Sequence, residues 1–207
     1  MSSPSPPTSS PLPPSEVVFV LGAPGTGKGT QCQLLVDGLD SNWTHLSAGD
    51  LLRGARDKGT SELAKLIRSK MLEGAIVPSS ITVRLLEEAM GEAYKKSSST
   101  RFLIDGFPRS GENLEAWEDR MGDPHTVRFV LNFECPEEIL VDRLLERGKD
   151  SGRADDAIEV IRKRFKTHIE STVPILDRFE KGGTTVHTID SARSVNEVYA
   201  SVSSLFW

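Results

Sequence analysis

Gly22-Ala23-Pro24-Gly25-Thr26-Gly27-Lys28-Gly29-Thr30 is the stretch on which the reading of this chain turns. Before it, residues 17–21 (Val-Val-Phe-Val-Leu) form a short apolar, β-branched run of the kind that fills a buried parallel strand. After it, residues 31–39 place apolar side chains at helical spacing, with Gly38 near the end. Strand, glycine-rich turn and helix together make the setting a phosphate-binding loop requires. Glycines leave no Cβ in the way, so successive backbone N–H groups can converge on an anion. The helix that follows adds the positive end of its dipole. Lys28 completes the G-x-x-x-x-G-K spacing and can reach the β/γ-phosphates of a nucleoside triphosphate. One position departs from the general pattern: Gly29 stands where most such loops carry a Mg²⁺-binding Ser or Thr, and Thr30 follows it.

The chain has 207 residues, ample for one α/β core with inserts and short for two full domains. Its formal net charge of −5 argues against nucleic acid or an anionic membrane as a general partner. No apolar run is long enough to span a bilayer, and the N-terminus has neither a basic n-region nor an apolar h-region. Cys32 and Cys135 give no disulfide framework and are expected as free thiols. These features lead us to expect a cytosolic protein, with the nucleus also open to it. Nothing in the sequence demands a dimer, so a monomer is expected.

Residues 1–15 are, after Met1, Ser, Pro and Thr with one Leu; they cannot bury enough apolar surface to offset their ordering entropy, which predicts a disordered tail. Residues 16–207 are read as one domain. Around 47–77 the pattern predicts several helices and no strand, a helical insert on a parallel sheet, with Ser47 as an N-cap. Residues 101–105 form the second clear strand, and 127–131 and 184–189 two more. Residues 146–156 center on a polar, glycine-containing stretch suited to a mobile lid. A helix over 157–172, broken by Pro174, and a last helix over 194–205 complete the chain. Alternating strands and helices predict a doubly wound α/β sheet of the P-loop NTPase type, with ligands at the carboxyl ends of the strands.

Asp105 ends an apolar strand, which suits it to help hold Mg²⁺. Arg53, Arg109, Arg143, Arg147, Arg153 and Arg164 fall at strand ends, helices or loops that would face the phosphate loop. A nucleoside monophosphate is largely dianionic near neutrality, with a second pKa of about 6. It is already a nucleophile; the obstacle is its repulsion by a triphosphate. Guanidinium groups bind phosphate oxygens bidentately and stay charged, so many arginines without an evident general base point to transfer onto a phosphate. His45, His125, His168 and His187 are scattered, and none is assigned a role.

GAPGTGKGTQ over 22–31, LSAGDLLR over 46–53, DGFPR over 105–109 and SGRADD over 151–156 resemble the signatures of the short-lid adenylate kinase superfamily of nucleoside monophosphate kinases. FVLG over 19–22, IVP over 76–78 and Glu112-Asn113-Leu114 with Trp117 resemble its eukaryotic UMP-CMP kinase branch more closely. The resemblance covers about residue 17 to the C-terminus. It implies that Gly25, Thr26, Gly27, Lys28, Gly29 and Thr30 hold the ATP phosphates, with Arg143 against the adenine and Arg193 near it. It implies that Ser47, Arg53, Ala75, Ile76, Val77, Gly106, Phe107, Pro108 and Arg109 hold the monophosphate, and that Asn113 reads its base. Arg147, Arg153 and Arg164 then form a clamp that closes with the lid. The implied reaction moves the γ-phosphoryl of ATP, with Mg²⁺, to UMP or CMP. An adenylate kinase or mixed UMP/AMP enzyme is the alternative, and a catalytically silent nucleotide-binding module a remote one. A carboxamide at position 113 can be turned over to meet uracil or cytosine, whose donor–acceptor patterns differ. Ala157 departs from the family, where Asn commonly follows the two aspartates.

Overall fold

The computed structural model describes residues 12–38, 43–122, 125–151 and 157–206. Five parallel strands form one sheet in the order β2-β3-β1-β4-β5. They are β1 (Ser15–Gly22), β2 (Trp43–Ser47), β3 (Arg101–Asp105), β4 (His125–Glu134) and β5 (Val186–Asp190). Residues 17–21 are buried throughout, because β1 lies at the center of the sheet with helices on both faces. Phe19 and its neighbors at 17 and 21 pack with Leu86, Met90, Trp117 and Phe179; Val18 and Val20 pack with Cys32, Leu35, Val198 and Val202 on the other face. The Phe19–Trp117 rings meet edge-on at 5.3 Å, a contact worth about 0.5–1.5 kcal/mol beyond burial.

The chain leaves β1 toward β2 and β3 on one side and later returns to β4 and β5 on the other. The turn after β1 therefore sits at the crevice where strand order reverses, the place where an open α/β sheet binds ligands. Helix α1 (Lys28–Gly38) starts inside the phosphate loop. Helices α2 (Ala48–Asp57) and α3 (Glu62–Leu72) make the insert, followed by α4 (Ser79–Ser97) and α5 (Gly111–Met121). Then come α6 (Glu137–Ser151), α7 (Ile158–Thr167), a π turn (His168–Thr172), α8 (Val173–Lys181) and α9 (Val195–Ser203).

The doubly wound sheet and the helical insert match the sequence reading, but several details correct it. A strand that the sequence reading lacked precedes the insert: β2 pairs with β3 from Trp43↔Arg101 to Ser47↔Asp105. As a short edge strand with only Trp43 and Leu46 buried, it carries too weak a period-two pattern to announce itself. Pro174 does not break a helix. It lies in the first turn of α8, where its missing N–H would be unpaired anyway, and the π turn joins α7 to α8 directly. Residues 148–151 continue α6 rather than opening a loop, while 152–156, the rest of the expected lid and its Arg153, lie outside the described residues. The fold also begins earlier than expected. Ser15 is buried at the head of β1 and Leu12 packs on the core beside α4; residues 1–11 of the expected tail lie outside the described residues. Ala157 caps α7 without a side-chain hydrogen bond. Among the described residues, no helix is long and apolar enough to cross a membrane.

Candidate active site

The phosphate loop is shaped by close approach. A Cβ on Gly22, at φ +137°, would run into the Phe133 carbonyl of β4. Gly25, at φ +90°, has the Leu140 carbonyl and the Leu144 side chain about where its Cβ would go, at 3.1 Å each. Thr26 folds the loop on itself: its hydroxyl donates to the Ala23 carbonyl at 2.8 Å. Lys28 Nζ donates to the carbonyls of Gly22 (2.9 Å) and Ala23 (2.8 Å) and to Thr26 Oγ1 (3.2 Å). Its ammonium is thus centered over the loop. Burial, then the nearby Arg109, Arg164 and Arg147, push its pKa down to about 8, while Asp105 opposes the shift.

Asp105 closes β3 opposite Val20 of β1 and Ser47 of β2. Burial would raise its carboxyl; the His45 ring, whose Nε2 lies 3.7 Å from Oδ2, and the Lys28 ammonium outweigh it and hold Asp105 below the ordinary carboxylate range. Asp105 Oδ1 is buried without a hydrogen-bond partner. A Cβ on Gly29 would sit 3.7 Å from Oδ2, so the carboxylate faces the loop where a Ser or Thr is missing. An ionized carboxylate with a free buried oxygen fits a divalent cation. Among the described residues no group of three or more His, Cys, Asp or Glu could hold a metal alone. Asp105 therefore suits Mg²⁺ that takes its remaining ligands from phosphate oxygens and water.

A cleft lies between the insert and the β3–α5 turn, where the sequence leads one to expect the acceptor. Ala48, Gly49, Leu52 and Arg53 of α2 line it, with Met71, residues 74–77, Thr82, Gly106, Phe107, Arg109, Asn113 and Arg164. Arg53 is held by Asp50 at 2.6 Å one turn away, and its guanidinium lies against Gly49. Arg109 Nε donates to the Gly106 carbonyl at 2.9 Å. Gly74, Gly106, Arg109 and Arg164 also line a second cleft with Gly22, Pro24 and Lys28, so the acceptor cleft opens onto the phosphate loop. A third cavity lies on the far side of the loop and holds Gly25, Thr26, Gly27, Thr30, Arg143, Arg147 and Arg193. Arg143 is anchored there by the Ser191 carbonyl at 3.0 Å, and Arg193 by the Asp190 carbonyl at 3.2 Å.

Three sequence expectations change. Ser47 does not line the acceptor cleft. Its hydroxyl accepts from Asp50 N–H at 3.2 Å, capping α2, and it borders an outer groove with His45 and Leu51. Pro108 is also absent from the cleft wall; it is buried. Asn113 does line the cleft, but its carboxamide cannot simply turn over. Oδ1 accepts from the Arg109 backbone N–H at 3.1 Å and Nδ2 donates to Ser79 Oγ at 2.8 Å. The Arg109 N–H can only donate, so a reversed amide would set two donors face to face.

Sequence reasoning missed Gln31 and Ser191 on the triphosphate side, and Gly49, Leu52, Met71 and Thr82 on the acceptor side. Gly49 and Leu52 were visible as part of the LSAGDLLR run; Gln31 was visible as the end of the loop motif. Met71 and Thr82 carry no local signal. It also missed His168, which lines the cleft of Lys28, Arg109 and Arg164.

The adenylate kinase family model matches residues 20–184. The chain belongs to the adenylate kinase family. It is an ATP-dependent nucleoside monophosphate kinase. The UMP-CMP kinase of Danio rerio is 51% identical over 92% of this chain and 96% of the relative. The UMP-CMP kinases of Gallus gallus and Homo sapiens are 48% and 47% identical over the same shares of each chain.

Proposed function

We propose that this kinase moves the γ-phosphoryl of ATP to a pyrimidine nucleoside monophosphate, UMP or CMP, giving the diphosphate and ADP. Its similarity to UMP-CMP kinases over nearly the whole chain supports this acceptor class. The observation that carries the chemistry is the meeting of Lys28, Arg109 and Arg164 where the acceptor cleft opens onto the phosphate loop. In this reading ATP lies across residues 25–30, with its base toward Arg143 and Arg193. The acceptor lies over Arg53 and residues 75–77, with its phosphate at Arg109 and its base at Asn113. The acceptor phosphate arrives deprotonated, so no side chain has to remove a proton. Lys28 and the arginines cancel the repulsion between the two phosphate groups and stabilize charge on the transferring oxygens. Asp105 would help hold Mg²⁺, which would supply further neutralization of the phosphate charge. Arg147 and Arg153 join from the lid side, and a monomer suffices for all of this.

The test is ADP formation from ATP and Mg²⁺ with UMP, CMP, dCMP, AMP or GMP offered separately. The expected result is strong turnover with UMP and CMP and little with AMP. Turnover led by AMP would overturn the acceptor class but keep the phosphate machinery. No turnover with any acceptor would overturn the reaction itself.

A further inference from the structure

Arg164, His168 and Thr172 follow one another at intervals of four residues, and all three line the cleft that holds Lys28 and Arg109. The His168 backbone N–H still donates to the Arg164 carbonyl, so His168 continues the Arg164 face of α7 by one turn. The π turn is tied down on both sides of the site. Thr167 Oγ1 donates to the Gly74 carbonyl of the insert at 2.9 Å, and Thr172 Oγ1 to the Arg109 carbonyl at 3.0 Å. π turns recur at functional sites because they swing side chains out of helical phase. The turn that carries the imidazole is thus held beside the same cations that would receive the phosphates.

We propose that His168 is a further phosphate-facing residue of this reaction site, which takes up a proton as the nucleotides' phosphates enter the cleft. The inference rests on the phosphotransfer reading above. The charges around the ring explain the direction. Lys28 of α1, Arg109 of the β3–α5 turn and Arg164 of α7 line the cleft side with it. Glu134 of β4, Glu137 of α6 and Asp190 of β5 line a cavity on its other side, and Glu170 of its own π turn is exposed. Burial first, then Lys28 and Arg109, hold the imidazole's pKa down to about 4, so it is neutral near pH 7. Incoming phosphates bring several negative charges against those cations and reverse the local field. The ring then gains a proton from solvent, and both its nitrogens become donors to phosphate oxygens.

The full chain would be titrated by NMR, free and saturated with a dinucleotide carrying adenosine and uridine bridged by five phosphates. His168→Gln and His168→Phe identify the ring resonance; the first keeps an N–H donor but cannot titrate. The midpoint is expected to rise by at least ~2.5 units on binding. Calorimetry in buffers of different ionization heat would show proton uptake that both variants lose. From pH 7 to pH 6 the wild type should gain about threefold in affinity relative to either variant. If phosphate-loop amides shift with the dinucleotide while the His168 midpoint moves by less than ~2.5 units, the inference is overturned and the functional reading stands. Equal proton uptake in wild type and His168→Gln would overturn it too. If no phosphate-loop amide shifts at saturating probe, the functional reading falls and takes the inference with it.

Discussion

The phosphate loop and the acceptor cleft do neighboring jobs by different construction. The loop is local. Its glycines, the Thr26 turn and Lys28 lie within nine residues, and Lys28 is held by carbonyls five and six positions before it. The cleft is assembled from afar: Asn113 is tied to Ser79, 34 residues earlier, and Thr172 reaches Arg109 across 63. A local device concentrates its effect in one side chain, whereas a dispersed one shares it among many. Lys28→Met should therefore have the largest effect, lowering kcat by at least ~10²-fold, as removal of one transition-state donor does. Steady-state kinetics with a saturating acceptor decides this. Turnover near the wild-type rate would show that the arginine wall carries the charge without the loop.

The second expected effect is on stability and sharpens the boundary between the two regions, where His168 stands. Its folded pKa of about 4 lies below the ordinary 6.5. A group depressed in the folded state contributes stability that is present above its unfolded pKa and is lost as pH falls through the folded one. In the nucleotide-free protein this component should therefore be lost between pH 6.5 and about 4, by up to about 3 kcal/mol. Urea unfolding across that range should show a smaller loss in His168→Phe than in wild type. Parallel acid limbs would mean that neither burial nor the cations at Lys28 and Arg109 depress the ring's pKa in the folded protein.

What the sequence discloses follows the same division. Periodicity and glycine spacing are local signals, so the β1–loop–α1 unit, the strand ending in Asp105 and the doubly wound class of the sheet were all readable. β2 was not, because five residues at a sheet edge with two buried side chains look like a loop entering the Ser47 cap. The role of Pro174 was misjudged because a helix breaker and a first-turn proline are the same residue seen before and after the turn. The arginines were readable as a set, but their anchors were not. The lock on Asn113 depends on Ser79, whose proximity arises only when α4 and α5 pack together. His168 stayed hidden for a similar reason: the π turn makes its neighbors depend on how the helix rejoins α8.

The Asn113 lock makes a third prediction, of middling size. A residue that only read the base would change the acceptor ranking and leave kcat alone. Asn113 also supports the Arg109 backbone, so Asn113→Gln should shift relative kcat/KM toward AMP over CMP. It should also lower kcat for every acceptor by about tenfold, the cost of roughly one buried hydrogen bond. An unchanged ranking would place base reading elsewhere. A changed ranking with unchanged kcat would show that Arg109 does not need the amide.

The smallest effect is expected at Ser47, and it separates local from site function most cleanly. The sequence motif places Ser47 among residues that hold the acceptor, while the structure gives its hydroxyl to the Asp50 N–H at the start of α2. A cap of this kind contributes about 1 kcal/mol of stability. Ser47→Ala should lower the unfolding free energy by that amount and leave the UMP-to-CMP ratio of kcat/KM unchanged, because Ser47 borders the outer groove and not the cleft that holds Asn113. A small, equal rise in KM for both acceptors is compatible with a frayed α2, since Arg53 lies on that helix and is held by the same first-turn Asp50. A selective loss for one acceptor would instead place the hydroxyl on the nucleotide and return Ser47 to the binding surface.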